Sequence, residues 1–379
     1  MAQRLSPNPK QESTVSELND KANVRHARRR PAARIAIVIA CCAAGATLAA
    51  CSSGGGSSSS AVAGGGNSPA AGGGSADAGT GGSAAMVPVT IAYTAPVADQ
   101  LIPLITKEAG IFDKYGIPVT MTYLPQTEAL DGIVGGKVQM SVFDGPAPEV
   151  AVADGEPIKW IAEWESHADL FLLGRPGVAG VKDLAGKPVA ETVAGSTTAV
   201  LTQVALRDAG VLTTTHLQPL GNVGATLSAF QSGSVQATIA GPPNQTTLIK
   251  SVPGAKILVD YTTSIPWVGG GVAADIPWAN AHKAETIDII KALTDGEQYF
   301  KTHKAESVKD IETVTKSGQA DAEDAYDSML KIMNQTSSIV PQASIESATL
   351  KAIATTSPGA ASLTGASVVD TEFAQAASK

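Results

Sequence analysis

The sequence predicts an α/β protein built as two similar lobes. Two observations carry this. From residue 87 onward, β-branched strand-like runs alternate with runs of helical period, the order that builds parallel sheets covered by helices. The same order then recurs about 100 residues later, which marks a repeated structural unit. Glu108-Ala109-Gly110-Ile111 ends one helix as Asp208-Ala209-Gly210-Val211 ends another. Gly136-Lys137-Val138-Gln139 opens a strand that runs into Gly145-Pro146, as Gly233-Ser234-Val235-Gln236 opens one that runs into Gly241-Pro242. Several matches in register predict one topology used twice, by duplication or by convergence.

Ahead of the lobes, residues 1–50 are expected to form a polar, basic leader and an export signal. Residues 25–34, RHARRRPAAR, are basic, and residues 35–48, IAIVIACCAAGATL, are apolar but too short and alanine-rich for a permanent span. Leu48-Ala49-Ala50-Cys51 resembles a bacterial lipoprotein processing box, which implies cleavage before Cys51 and a lipid on its sulfur. Arg28 to Arg30 hint at twin-arginine export, with flanks that fit poorly. Residues 51–87 then form the lipidated cysteine and a Gly/Ser/Ala linker, whose root-mean-square reach is roughly 30–35 Å. All three cysteines lie at or before residue 51, so the domain beyond has no disulfide, thiolate nucleophile or cysteine-ligated metal. The leader carries 8 Lys/Arg against 3 Asp/Glu, which leaves the remainder at −13 against −8 for the whole chain. Such an acidic domain is a poor candidate for nucleic-acid binding, and no nucleic-acid partner is expected.

The first lobe is expected over residues 88–172. VPVTIAY (87–93) alternates as a strand, and ADQLIPLITKEAG (98–110) has helical period and stops at Gly110. VTMTY (119–123) is a second strand, followed by a short helix near Glu128–Val134 and the strand VQMSVF (138–143). Gly145-Pro146 opens another short helix, and KWIAEW (159–164) is a further strand. The second lobe is expected over residues 173–266, with a strand at Lys187–Glu191 and a helix at Thr197–Ala209. Residues 267–379, helical and charged from Ala284 to Lys304 and from Gln319 to Met333, are expected to return and cover the first lobe.

In open parallel sheets, ligands bind outside the carboxyl ends of the strands. Six loops therefore face a predicted cleft: Tyr93–Pro96, Asp144–Pro146, Trp164–His167, Gly195–Thr198, Gly241–Asn244 and Ser264–Trp267.

Four stretches carry a family resemblance: EAGIFDKYGIPVTMTYLP (108–125), GGKVQMSVFDGPAPEVAVADGEPIKWIAE (135–163), VKDLAGKPVAETVAGSTTAVLTQVALRDAGV (181–211) and FQSGSVQATIAGPP (230–243). Their order and spacing resemble the nitrate/sulfonate/taurine-type solute-binding proteins of ABC importers, a group that includes binders of a thiamine pyrimidine precursor. The resemblance spans roughly residues 88–275. It implies a type II periplasmic-binding-protein fold, with two lobes joined by crossing strands that close on a small molecule. It also implies an ABC permease as partner, a monomer, and an extracytoplasmic site held at the membrane through Cys51. Where relatives often carry Trp-Glu-Pro, this chain has Ala240-Gly241-Pro242-Pro243-Asn244-Gln245, so no relative's substrate transfers directly.

Gly195-Ser196-Thr197-Thr198 opens a helix. It lacks the lysine of a phosphate loop and the G-x-S-x-G spacing of a nucleophile elbow. Ser196 caps the helix, and the family position implies ligand contact through Ser196 and Thr197. The expected ligand-binding residues are Tyr93, Thr94, Asp144, Gly145, Glu165, Gly195, Ser196, Thr197, Asn244 and Trp267. Asp144 and Glu165 either bond local backbone N–H groups or face the ligand. None of the six loops contains Lys or Arg, so an anion would depend on helix N-termini and hydroxyls. A neutral or cationic heteroaromatic solute would suit the two carboxylates, with Tyr93, Trp164 or Trp267 stacking on it. His167, His216, His282 and His303 form no metal pair or triad by spacing, so no catalytic residue, metal or cofactor is expected. The alternatives are an enzyme on the same fold, related to thiamine pyrimidine synthases and using His167 with carboxylates, and a sensing receptor without transport.

Overall fold

A computed structural model describes residues 87–336, 338–354 and 357–379. The expected export signal, Cys51 and nearly all of the linker lie outside the described residues. Among the described residues no helix is long and apolar enough to cross a membrane.

The chain first lays down β1 (Val89–Tyr93), β2 (Val119–Tyr123), β3 (Met140–Phe143) and β4 (Ile158–Glu165). It then crosses to β5 (Phe171–Gly174), β6 (Pro188–Glu191), β7 (His216–Pro219), β8 (Ala237–Ala240) and β9 (Lys256–Asp260), and returns as β10 (Gly270–Asp275). Two five-stranded sheets result, ordered β2-β1-β3-β10-β4 and β7-β6-β8-β5-β9. In each, three parallel strands adjoin one antiparallel strand that enters directly from the other sheet: β10 in the first, β5 in the second. The sequence repeat is thus one topology used twice. Its strands are four to eight residues long, and only some, such as VTIAY and VTMTY, are rich in β-branched residues.

The expected lobe boundary at 172/173 falls inside β5, all of whose residues pair with β8 and β9. The first crossing segment is therefore 166–170, and the second runs over 261–269. The two crossings hold one another: the Trp267 N–H donates to the Ser166 carbonyl at 2.9 Å, the Gly269 N–H to Glu165 at 3.2 Å, and the Tyr261 N–H to Leu170 at 3.0 Å.

One core lies on the first sheet, where Ile91, Leu101, Ile105, Phe112 and Met140 meet Ile289, Leu293 and Phe300 of the tail helix Lys283–Thr302. A second core joins residues of both sheets, including Phe143, Trp160, Leu172 and Val189, with Leu201 of the helix Thr197–Asp208. The helix Ala343–Ile353 inserts Ile345, Leu350 and Ile353 into this shared core, so the tail does not cover the first lobe alone. The indoles of Trp160, Trp164 and Trp267 are fully buried. At about 25 cal/mol per Å² and roughly 150–250 Å² each, each contributes about 4–6 kcal/mol before conformational entropy is charged.

Candidate solute-binding cleft

A cavity of about 490 Å³ opens at the carboxyl ends of the parallel strands, between the two sheets. The first lobe contributes Thr94, Tyr123, Gln126 and Asp144; the second contributes Thr192, Ser196, Thr197, Thr198, Asn222 and Asn244. Among the described residues its lining includes no Lys, Arg or His. Four helices begin at its wall: Gln126–Val134, Thr197–Asp208, Val223–Ser232 and Asn244–Ser251. Each N-terminus presents unpaired N–H groups and a partial positive charge, so an electron-rich group can be received without a cationic side chain.

Local sequence explains the wall. Gln100, buried behind the first loop, accepts from the Thr94 N–H at 2.7 Å and the Ala95 N–H at 3.0 Å, and donates to Thr94 Oγ1 at 2.9 Å. That fixes the Thr94 turn. Ser196 Oγ caps its helix, accepting from the Ala199 N–H at 3.3 Å, and its own hydrogen goes to the Val193 carbonyl at 2.8 Å. The Thr192, Ser196 and Thr198 hydroxyls form one cluster, 2.7 to 3.2 Å apart. Thr197 Oγ1 donates across the cleft to the Asp144 carbonyl, tying the second lobe to the first.

The hydroxyls of Ser196 and Thr197, expected to donate to the ligand, are therefore committed within the protein. Among the described residues the Thr197 and Thr198 N–H groups have no acceptor, so they are the donors this helix end offers. Ser196→Ala should cost about 1 kcal/mol of stability through the lost cap, read as a lower denaturation midpoint with unchanged slope.

Thr94, Asp144, Ser196, Thr197 and Asn244 are brought together at the cavity, whereas the other five expected residues line neither it nor the smaller cavity beside it. Tyr93 stands behind Tyr123, ring centroids 5.6 Å apart, and it is Tyr123, 48 % exposed, that reaches the cavity. Trp267 is not a stacking surface. It is fully buried, and its Nε1–H donates to the Asp144 carbonyl at 3.0 Å. Gly145 makes room for that indole: its φ is +101°, and a Cβ there would come 2.4 Å from Trp267 Nε1. Gly195 forms the turn ahead of Ser196. Glu165 is fully buried behind the cleft, with neither carboxyl oxygen near a donor.

A second, smaller cavity of about 40 Å³ shares Ala95, Val97, Asp144, Thr198, Val223 and Asn244 with the first. Three carboxyls line it: Asp99, Asp144 and Asp169. Burial pushes Asp144 up to about 6, against its own N–H and the Thr197 hydroxyl, which pull it down. Burial pushes Asp169 up to about 7, with partial relief from the Ser328 hydroxyl, 2.6 Å away, and from Lys331. Asp99 is raised well above the usual range, by burial first and then by the charges of Asp144 and Asp169. Glu165 is raised by burial and by all three aspartates.

Asp99, Asp169 and the turns at Tyr123–Gln126 and Gly221–Asn222 were not among the expected site residues. The rule that picked the other loops applies equally to the ends of VTMTY and HLQP, so those two turns carried a usable signal. Asp169 did not, because it lies in the crossing segment, and Asp99, in the turn Ala98–Gln100 just after the first loop, falls inside the stretch read as helix.

His167 is partly buried, its Nδ1 lies 3.2 Å from Ser166 Oγ, and burial lowers its pKa. It lines neither cavity. Among the described residues no group of three His, Cys, Asp or Glu side chains is placed to hold a metal.

Solved structures share this architecture. A protein of Bordetella bronchiseptica RB50 superposes with a TM-score of 0.65 at 19 % identity, covering 76 % of this chain and 96 % of its own. The alkanesulfonate-binding protein SsuA of Xanthomonas axonopodis pv. citri, bound to MOPS, gives 0.58 at 15 % identity, with 76 % and 97 % covered. The periplasmic nitrate-binding protein NrtA of Synechocystis PCC 6803 gives 0.54 at 15 % identity, with 62 % and 69 % covered. No curated protein matches the chain. The fold is the two-lobed periplasmic-binding-protein fold, and its strand order is the same in both lobes. The sequence profile described as NMT1/THI5 like matches residues 99–307, more than half of the 379 residues and both halves of the cleft, and the chain belongs to that family.

Proposed function

We propose that the protein is the extracytoplasmic solute-binding component of an ABC importer. The observation that carries this is the cavity of about 490 Å³ between two lobes of like topology, lined from both. The captured solute is a small organic or oxyanion molecule of the sulfonate, taurine, nitrate or pyrimidine kind. Lobe closure over it presents the closed form to a membrane permease. A lipid on Cys51 and the linker hold this monomeric domain at the outer face of the membrane. The reading assigns no chemistry to the chain. The two neighbours named as binders of alkanesulfonate and nitrate, and the family membership, support it.

A thermal-shift screen of sulfonates, nitrate, amines and pyrimidines tests it. A ligand at a hundred times its Kd stabilises the fold by about 2.7 kcal/mol, a rise of several degrees. Absence of any hit, with side chains shown to fill the cleft, would remove the reading. For a solute so found, Thr197→Val deletes the cross-cleft hydrogen bond and keeps the side-chain shape. Its expected effect is a loss of about 1 kcal/mol of closure, or roughly fivefold in Kd by calorimetry. An unchanged Kd would mean that the bond plays no part in closure.

A further inference from the structure

We infer that Asp321 is the positioning residue of a clasp at the rim of the cleft, which pins the second-lobe helix Asn244–Ser251 to the first lobe and so favours the closed form. This goes beyond the solute-binding reading above, because the clasp acts whether or not a solute is present.

The clasp joins helices that move with different lobes. Thr247 Oγ1 donates to Asp321 Oδ2 at 3.1 Å, and the Lys250 ammonium pairs with Asp321 Oδ1. Thr247 lies one turn beyond Asn244, which lines the cavity. Asp321 stands in the first turn of the helix Gln319–Met333. That helix buries Ala322, Ala325, Tyr326, Met329 and Met333 in the core of the first sheet, so it travels with the first lobe. Thr315, four residues ahead of it, also lines the cavity. The clasp therefore sits at the cavity's rim, and residues of the cavity wall flank it on both chains of contact.

The same tail helix reaches the hinge. Seven residues beyond Asp321, and so on the same helix face, Ser328 donates to Asp169 of the first crossing segment at 2.6 Å. Two helical turns, about 10.5 Å, separate the two contacts. A hinge rotation of about 20° shifts a point at that reach by up to about 3.5 Å, more than a hydrogen bond tolerates. Opening therefore breaks the clasp and spares the Ser328 bond at the pivot. The Asp321 side chain is 19 % exposed against 59 % for Lys250, so the carboxylate is sheltered while its cation is in water. It accepts from an ammonium and a hydroxyl at once, which makes the clasp stronger than a lone surface ion pair. The Thr197 bond to Asp144 ties the lobes from inside the cleft, and the clasp ties them from its mouth.

The test measures lobe separation by double electron–electron resonance. It uses the full chain with its three cysteines changed to serine and spin labels on Glu128→Cys and Ser228→Cys, exposed positions on helices of opposite lobes. The otherwise wild-type chain is expected to show mainly the short distance at about 0.02 M salt and to shift towards a longer one at about 0.5 M. Asp321→Lys and Lys250→Glu should each lower the closed-to-open ratio at least threefold at low salt, and combining them should restore it. Unchanged distances in both single variants overturn the inference. Opening in both that the combination does not reverse also overturns it, because the two side chains then do not act as a pair. The salt series needs no variant, so it decides even if a variant fails to fold, and a distribution that salt leaves unmoved overturns the inference. No solute enters the experiment, so its failure leaves the solute-binding reading untouched.

Discussion

Raising the pH from 5 to 8 should make this protein markedly less stable, and Glu346→Gln should recover much of the loss. The cause lies away from the cleft, where Glu149 of the helix Ala147–Ala153, Glu163 of β4 and Glu346 of the helix Ala343–Ile353 meet. Glu149 and Glu346 are fully buried and Glu163 is 2 % exposed. The Gln342 N–H reaches Glu163 Oε2 at 3.1 Å; among the described residues no donor lies within hydrogen-bond distance of the other oxygen of Glu163 or of the four oxygens of Glu149 and Glu346, although the Glu149 N–H and the Trp160 indole N–H pull Glu149 down. Glu346 lowers the pKa of Glu149 and of Glu163 and is raised by both, the pattern of a carboxyl that keeps its proton and offers it to the other two. Burial is the largest cause for all three: it raises Glu149, pushes Glu163 up to about 7, and lifts Glu346 well above its usual range, helped there by the charges of Glu149 and Glu163.

The folded chain therefore holds protons that the unfolded chain releases near 4.5. Stability contributed by such groups is complete below the unfolded pKa and is lost as pH climbs through the folded one. For Glu163 that window runs from about 4.5 to about 7 and is worth on the order of 3 kcal/mol. Asp169, raised from 3.8 to about 7, and Asp144, raised from 3.8 to about 6, act in the same direction. Urea denaturation at the two pH values reads the difference directly, and equal midpoints would refute it. The Glu346→Gln amide gives Glu149 and Glu163 a donor that does not titrate. It should raise the unfolding free energy at pH 8 by about 1–3 kcal/mol, read as a higher urea midpoint, and change little at pH 5. A variant destabilised equally at both would show that the shared proton is not what holds the cluster.

Gly269→Ala should be the most damaging single methyl addition near the cleft. A Cβ at Gly269 would stand 2.1 Å from the His167 carbonyl oxygen and 2.7 Å from Glu165 Oε2. The first obstacle is backbone, so no rotamer change relieves it. The two crossing segments would have to part, breaking the bonds from Trp267 to Ser166 and from Gly269 to Glu165. Overpacking typically costs about 1–3 kcal/mol, and a rigid obstacle puts this site at or above the upper end. That corresponds to a fall in Tm of roughly 6–12 °C. Gly180→Ala, where nothing lies within 4 Å, is the control and should melt as wild type. A Gly269→Ala protein melting within a degree of wild type would show that the crossings slide past one another freely. Because these are the segments that join the lobes, ligand affinity should fall together with stability.

Much of the architecture is written locally. The stretches VTIAY, VTMTY, MSVF and PVAE become strands, and the helix after Ser196 starts at the residue expected to cap it. Thr94, Asp144 and Asn244 lie at the cleft because a loop at a strand's carboxyl end goes there whatever its partner does. Periods of 2 and 3.6 residues and the residues that break them need only near neighbours to be read. The environment of a buried side chain does not work that way. Trp267 looks like a cleft aromatic until the fold sets its indole on Asp144, 123 residues away. Trp164 finds its acceptor at Asp99, 65 residues away, and Glu163 meets the Gln342 turn across 179. Whether Glu165 faces a ligand or a wall of aspartates depends on where the second crossing segment passes. Strands, caps and loop ends follow from short-range sterics and hydrogen bonding along the chain. The meeting of distant carboxyls in a dry interior is decided only when the two lobes pack, because desolvation and charge act through space and not along the sequence.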